Sequence, residues 1–88
     1  MQTAIISQDS VAAAEKLMMS EPDQSEANIS ARMAARYLLN VHAYNLTTFA
    51  LLNIQSAAGK ATLAQAKHYE QVARRPLGKH CVDWGGYI

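Results

Sequence analysis

The chain has 88 residues, half of them hydrophobic and only 17% charged, with a net charge of +1. A chain this short makes at most one domain, and it buries a modest fraction of its surface unless another chain supplies cover. The single Cys81 excludes an intramolecular disulfide, and the N-terminus lacks the basic segment and apolar core of a secretory signal, so a cytoplasmic protein is expected.

Residues 1–8 read as an N-terminal arm in which Thr3 to Ile6 can pack. A first helix is predicted over 9–21: Asp9 or Ser10 can accept a free backbone N–H, and Val11, Ala14, Leu17 and Met18 recur at helical spacing. Pro22 ends it, because the residue before a proline is pushed out of the α region. Asp23-Gln-Ser-Glu26 has capping-box spacing and opens a second helix. No glycine or proline follows until Gly59, so one helix over 24–58 is the simplest reading, about 50 Å long. A kink near Asn45 to Thr48 would divide it and make a four-helix monomer. Gly59 offers the left-handed conformation that closes a helix. A third helix is predicted over 61–75, ended by Pro76, and residues 76–88 form a tail carrying Trp84 and Tyr87.

The second helix has no formal charge from Tyr37 to Gly59. A membrane span is the first reading of such a stretch. Against it stand Asn40, His42, Asn45, Thr47, Thr48, Asn53, Gln55 and Ser56, whose polar groups are costly in hydrocarbon. A helix covered by protein fits better. One apolar stripe runs Ile29 or Ser30, Met33, Tyr37, Val41, Tyr44, Thr48 and Leu51 or Leu52, and a second runs Ala35, Leu38 or Leu39, His42, Leu46, Phe49 and Ile54. Two further helices of a short chain do not cover both, so a second copy or a target protein is expected to cover one of them. Asn40, Asn45 and Asn53 then either set register within an apolar interface or lie on its exposed edge.

Charge is unevenly placed. Asp9, Glu15, Glu21, Asp23 and Glu26 oppose only Lys16 in the first 26 residues, whereas Lys60, Lys67, Arg74, Arg75 and Lys79 oppose only Glu70 between 60 and 80. The two ends can attract one another or be two solvated faces, or the basic end can meet an anionic partner. Nucleic acid binding through Lys60, Lys67, Arg74 and Arg75 is therefore an alternative. A helix-turn-helix alignment on Gly59 fits poorly, since it puts Gln55 and Gln65 where small and aliphatic side chains pack.

His42, His68, His80, Cys81 and Asp83 do not show the paired ligands at close, regular spacing of a zinc site. Cys81 beside His80 has no identifiable orienting third group, and Gly85-Gly86 is followed by too few residues for a phosphate-binding helix. Neither a cofactor nor an enzymatic function is predicted. Arg74, Arg75, Trp84 and Tyr87 are candidate protein contacts because Arg, Trp and Tyr dominate binding hot spots. Trp84 and Tyr87 equally suit a role capping the open end of the bundle.

The expectation is an all-α, three-helix architecture with a long, charge-poor central helix, packed as a dimer. The expected function is that of a small non-enzymatic regulator that binds and inhibits or sequesters another protein, of antirepressor, anti-defence or adaptor type, a format of phage and mobile-element accessory proteins. Its expected protein-binding residues are Tyr37, Val41, Tyr44, Leu46, Phe49, Arg74, Arg75, Trp84 and Tyr87. DNA-binding regulation and a structural or assembly role are the alternatives.

Overall fold

Three serines, each just ahead of a helix-forming run, set where the chain turns helical. In the computed structural model, which describes residues 6–78, the elements are α1 (Gln8–Met19), α2 (Glu26–Leu52) and α3 (Ala57–Ala73), with no strand among the described residues. Ser7, Ser25 and Ser56 are the N-caps, and each hydroxyl accepts the backbone N–H three residues on, from Ser10, Asn28 and Gly59. This satisfies one of the donors that a helix start leaves without an intrahelical partner.

The caps therefore fall earlier than Asp9 for α1 and later than Asp23 for α2. Asp23 instead accepts from the Ser25 N–H at 2.7 Å, which orients the residue that does the capping. That backbone hydrogen bond holds the Asp23 carboxyl below its usual value. The α1 helix ends at Met19, ahead of Pro22, with the Ser20 N–H closing on the Leu17 carbonyl.

The expected single helix over 24–58 is two elements. The α2 helix passes unbroken through Asn45 to Thr48, where the Thr47 and Thr48 hydroxyls donate to the carbonyls four residues back. It ends at Leu52, and Asn53 leaves the helical region at φ −126° while its side-chain amide donates to the Phe49 carbonyl. Ser56 completes the turn from both sides. Its hydroxyl donates to the Asn53 carbonyl at 2.9 Å and accepts from the Gly59 N–H at 3.0 Å. Gly59 closes no helix and has no positive φ, but lies in the first turn of α3. A Cβ there would lie 2.0 Å from the Asn53 carbonyl oxygen, so only glycine allows the turn to close this tightly. The third helix consequently starts four residues before the predicted 61 and ends at Ala73.

The α2 and α3 helices run antiparallel along their lengths, with the guanidinium of Arg36 on the Ala73 carbonyl, His42 edge-on to Tyr69 at 4.9 Å, and Asn53 against Gly59. This is a helical hairpin, not the steep crossing of a helix-turn-helix. Ala43 and Ala50 of α2 and Gly59, Ala66 and Ala73 of α3 are buried, all five at seven-residue spacings within their helices. Small residues let the two helices pack closely, and they leave little room between them for large apolar side chains.

The α1 helix is about 18 Å long against about 40 Å for α2. It seals only one end of the hairpin, where Val11, Ala14 and Met18 pack with Ala35, Leu39, Val72 and Ala73. Two arginines complete that end. Arg32 is the largest fully buried side chain among the described residues, and Arg36 is buried beside it. They take up the backbone carbonyls at the ends of α1 and α3, where the helix dipole is negative. Arg32 donates to Leu17, Met18, Ser20 and Pro76, and Arg36 to Ala73 and Arg75.

Candidate interaction surface

One side of α2 faces α1 and α3 and the opposite side faces solvent. Arg32, Ala35, Leu39, Ala43 and Ala50 hold the inner side; it shares Ala35 and Leu39 with the second stripe read from the sequence, but His42 and Leu46 of that stripe are half-buried and Phe49 and Ile54 are exposed. The first stripe is the exposed one. Tyr37 is 68% and Tyr44 71% exposed, and Met33 and Leu51 are at least half exposed. Val41 is half-buried between them, and it borders two shallow grooves. The larger groove, about 350 Å³, runs along α2 from Met33 to Tyr44 with Asn40 on its margin. The smaller is closed on its far side by Ile6, the residue that leads into α1. No charged side chain interrupts this face between Tyr37 and Leu52.

A second apolar surface lies at the tip of the hairpin, beyond the reach of α1. Phe49 is half exposed, Leu52 is 80% exposed and Ile54 stands out from the turn, with Leu46 half-buried one turn earlier. Leu46, Phe49 and Leu52 are three residues apart, the spacing at which an amphipathic helix offers successive anchors to a groove. No helix among the described residues is long and apolar enough to cross a membrane.

The predicted site residues thus divide. Tyr37, Val41 and Tyr44 share the solvent face of α2, while Leu46 and Phe49 belong to the tip. Arg74 is exposed, but Arg75 has a structural task, since its Nε donates to the Met18 carbonyl at 2.7 Å. Lys60 and Lys67 are exposed on the same side of α3 as Arg74, each seven residues from the next. Trp84 and Tyr87 lie outside the described residues, as do Lys79, His80, Cys81 and Asp83.

Sequence reasoning missed the role of Arg32 and Arg36, which immediately precede the charge-free stretch. Their spacing of four places both on one helix face, and that face also carries the inner apolar residues Ala35 and Leu39. Burial lowers the Arg32 pKa, helped by the charges of Arg75 and Arg36. His42, packed against Tyr69, has its pKa lowered by burial. His68 meets Glu15 at 2.5 Å on the surface, tying α3 to α1.

Comparison with known protein families, with curated proteins and with solved structures found no match to this chain.

Proposed function

We propose that this chain is a non-enzymatic binding protein that docks the tip of its α2–α3 hairpin into an apolar groove of another protein, inhibiting or sequestering it. The observation that carries this reading is the exposure of Phe49, Leu52 and Ile54 at the end of the hairpin that α1 does not cover. Large apolar side chains gathered on one surface of a small folded unit mark contact sites, whereas single ones do not. The Asn53–Ser56–Gly59 turn holds these anchors in place before binding, which lowers the ordering cost of association.

A nucleic acid reading has one specific support, the line of Lys60, Lys67 and Arg74 on the exposed side of α3. Three cations over two turns on either side of Lys67 provide few phosphate contacts, and the antiparallel hairpin presents no reading helix in helix-turn-helix geometry.

The test is capture of the tagged full chain and of two variants from nuclease-treated extract. A stoichiometric protein retained by the wild type and by Lys60→Glu/Lys67→Glu/Arg74→Glu, but lost with Phe49→Asp/Leu52→Asp, supports the tip as the docking surface. Retention by the tip variant, or recovery of nucleic acid alone in untreated extract, overturns it.

A further inference from the structure

We infer that the solvent face of α2 is covered by a second copy of this chain, in an antiparallel α2–α2 pair centred between His42 and Ala43. The inference goes beyond the tip-docking reading: the paired face is carried by Met33, Tyr37, Tyr44 and Leu51 and the tip by Phe49 and Ile54, with Leu52 at the border of the two.

Three observations support a second copy as the occupant. First, the face matches itself when reversed. In an antiparallel pair centred on that point, Met33 comes level with Leu51 and Leu52 of the second copy, Tyr37 with Thr48, and Tyr44 with Val41. Each tyrosine then lies opposite a smaller side chain, which suits interdigitation, and both chains use the same patch, as a twofold interface requires. Second, between Met33 and Leu52 the one charged side chain is Arg36, which is buried and comes level with Phe49 of the second copy, so the pairing brings no like charges together. Third, the area suffices. From their exposed fractions, Met33, Tyr37, Tyr44 and Leu51, without the Leu52 of the tip, offer roughly 500 Å² per chain, or about 1,000 Å² over two chains, the least a specific interface needs.

The arrangement has a consequence for the tips. Each lies about 14 Å along α2 from the twofold axis, so the two project from opposite ends of the pair, about 28 Å apart along it. The assembly would thus present its two docking surfaces to two targets or to two sites on a symmetric one.

Light scattering and sedimentation equilibrium on the full chain give the first readout, with a mass twice that of the chain expected. Tyr37→Glu/Tyr44→Glu is expected to weaken association at least tenfold. Both residues are more than two-thirds exposed in the single chain, so circular dichroism should report unchanged helicity. Direction is read by thiol cross-linking with a short bismaleimide in a Cys81→Ser background. Val41→Cys and Tyr44→Cys should each couple to themselves, their positions being about 4.5 Å apart along the axis. Met33→Cys should not couple to itself across about 28 Å, but should couple when mixed with Leu51→Cys.

A monomeric mass for the wild type at 100-fold excess over a micromolar concentration overturns the inference, as does a dimer unaffected by the tyrosine substitutions. Self-coupling of Met33→Cys means a parallel pair and overturns the stated geometry. Failure of the tip reading is separable, because Phe49→Asp/Ile54→Asp leaves the paired face unchanged: it would then retain its target while the mass and the cross-links are scored independently.

Discussion

Arg32 donates from Nη1 to the carbonyl of Leu17 at 2.6 Å, so a side chain of the second helix caps the last turn of the first. The same guanidinium reaches the Pro76 carbonyl through Nε at 2.9 Å and the Met18 carbonyl through Nη2 at 3.1 Å. One planar cation thereby joins the C-terminal ends of two helices to the start of the third. The Leu17 and Met18 carbonyls belong to the last turn of α1, whose carbonyls lack the usual intrahelical donor, and they also accept from Ser20 and Arg75; Pro76 lies just beyond α3.

Arg32→Met is expected to destabilise the chain by on the order of 2 kcal/mol, because the apolar stem is kept while the Pro76 carbonyl loses the Arg32 donor and the Leu17 and Met18 carbonyls keep only those from Ser20 and Arg75. Arg32→Lys should recover only part of this, since an ammonium cannot reproduce the planar fork. Urea unfolding followed by circular dichroism measures both. A loss below about 0.5 kcal/mol for Arg32→Met would show that the carbonyls find other donors.

Gly59→Ala should run opposite to helix propensity. In an open helix interior the substitution gains about 1 kcal/mol, but here the added carbon meets the Asn53 carbonyl oxygen at 2.0 Å. A net loss of about 2 kcal/mol is expected from the forced backbone shift. Thermal denaturation decides it, with a raised midpoint contradicting the close approach at the turn.

His42 makes stability depend on pH. Its folded-state pKa lies below the unfolded value because burial disfavours the charged imidazolium. Both states are neutral above about pH 6.5, where the contribution is fully present. As pH falls below that value the unfolded state takes up the proton first, and stability declines until the folded-state pKa is passed. His42→Phe retains an aromatic contact with Tyr69 and should remove this component. The difference in unfolding free energy between wild type and variant should therefore change from pH 7.5 to pH 5, and an unchanged difference would exclude His42 as its source.

The Asp23 carboxyl, held low by the Ser25 N–H, acts in the same direction in a lower window. Its contribution is present above the usual carboxylate range and is lost as pH falls through the depressed folded-state value. Asp23→Asn should flatten the acid limb of the unfolding profile while leaving the neutral region nearly unchanged. An acid limb that stays as steep would assign it to other carboxylates.

Much of the local architecture is legible in the residues themselves. Helical spacing of apolar residues, the acids near the first two starts, and Pro22 and Pro76 beyond the first and third helices are enough to place three all-α elements, although the capping residues themselves are Ser7, Ser25 and Ser56 and not Asp9 and Asp23. Capping and proline sterics act over three or four residues, so they are local and can be read without knowing the fold. The two apolar stripes of α2 are equally visible, as is the shortage of helix to cover them.

Which stripe is covered, and where the long helix breaks, were decided by packing. Asn53 and Ser56 look no different from Asn45 and Thr48 in sequence, yet only the former end a helix, because Gly59 can be drawn against the Asn53 carbonyl and return the chain along α2. Arg32 and Arg36 look like solvated boundaries of a neutral stretch, and become buried because the ends of α1 and α3 bring six backbone carbonyls to them. Periodicity fixes which residues share a face, but the fate of each face depends on what arrives from distant parts of the chain. Here the close Ala and Gly packing of the hairpin and the short reach of α1 decide it, leaving Tyr37, Tyr44 and the Phe49–Leu52 tip outside.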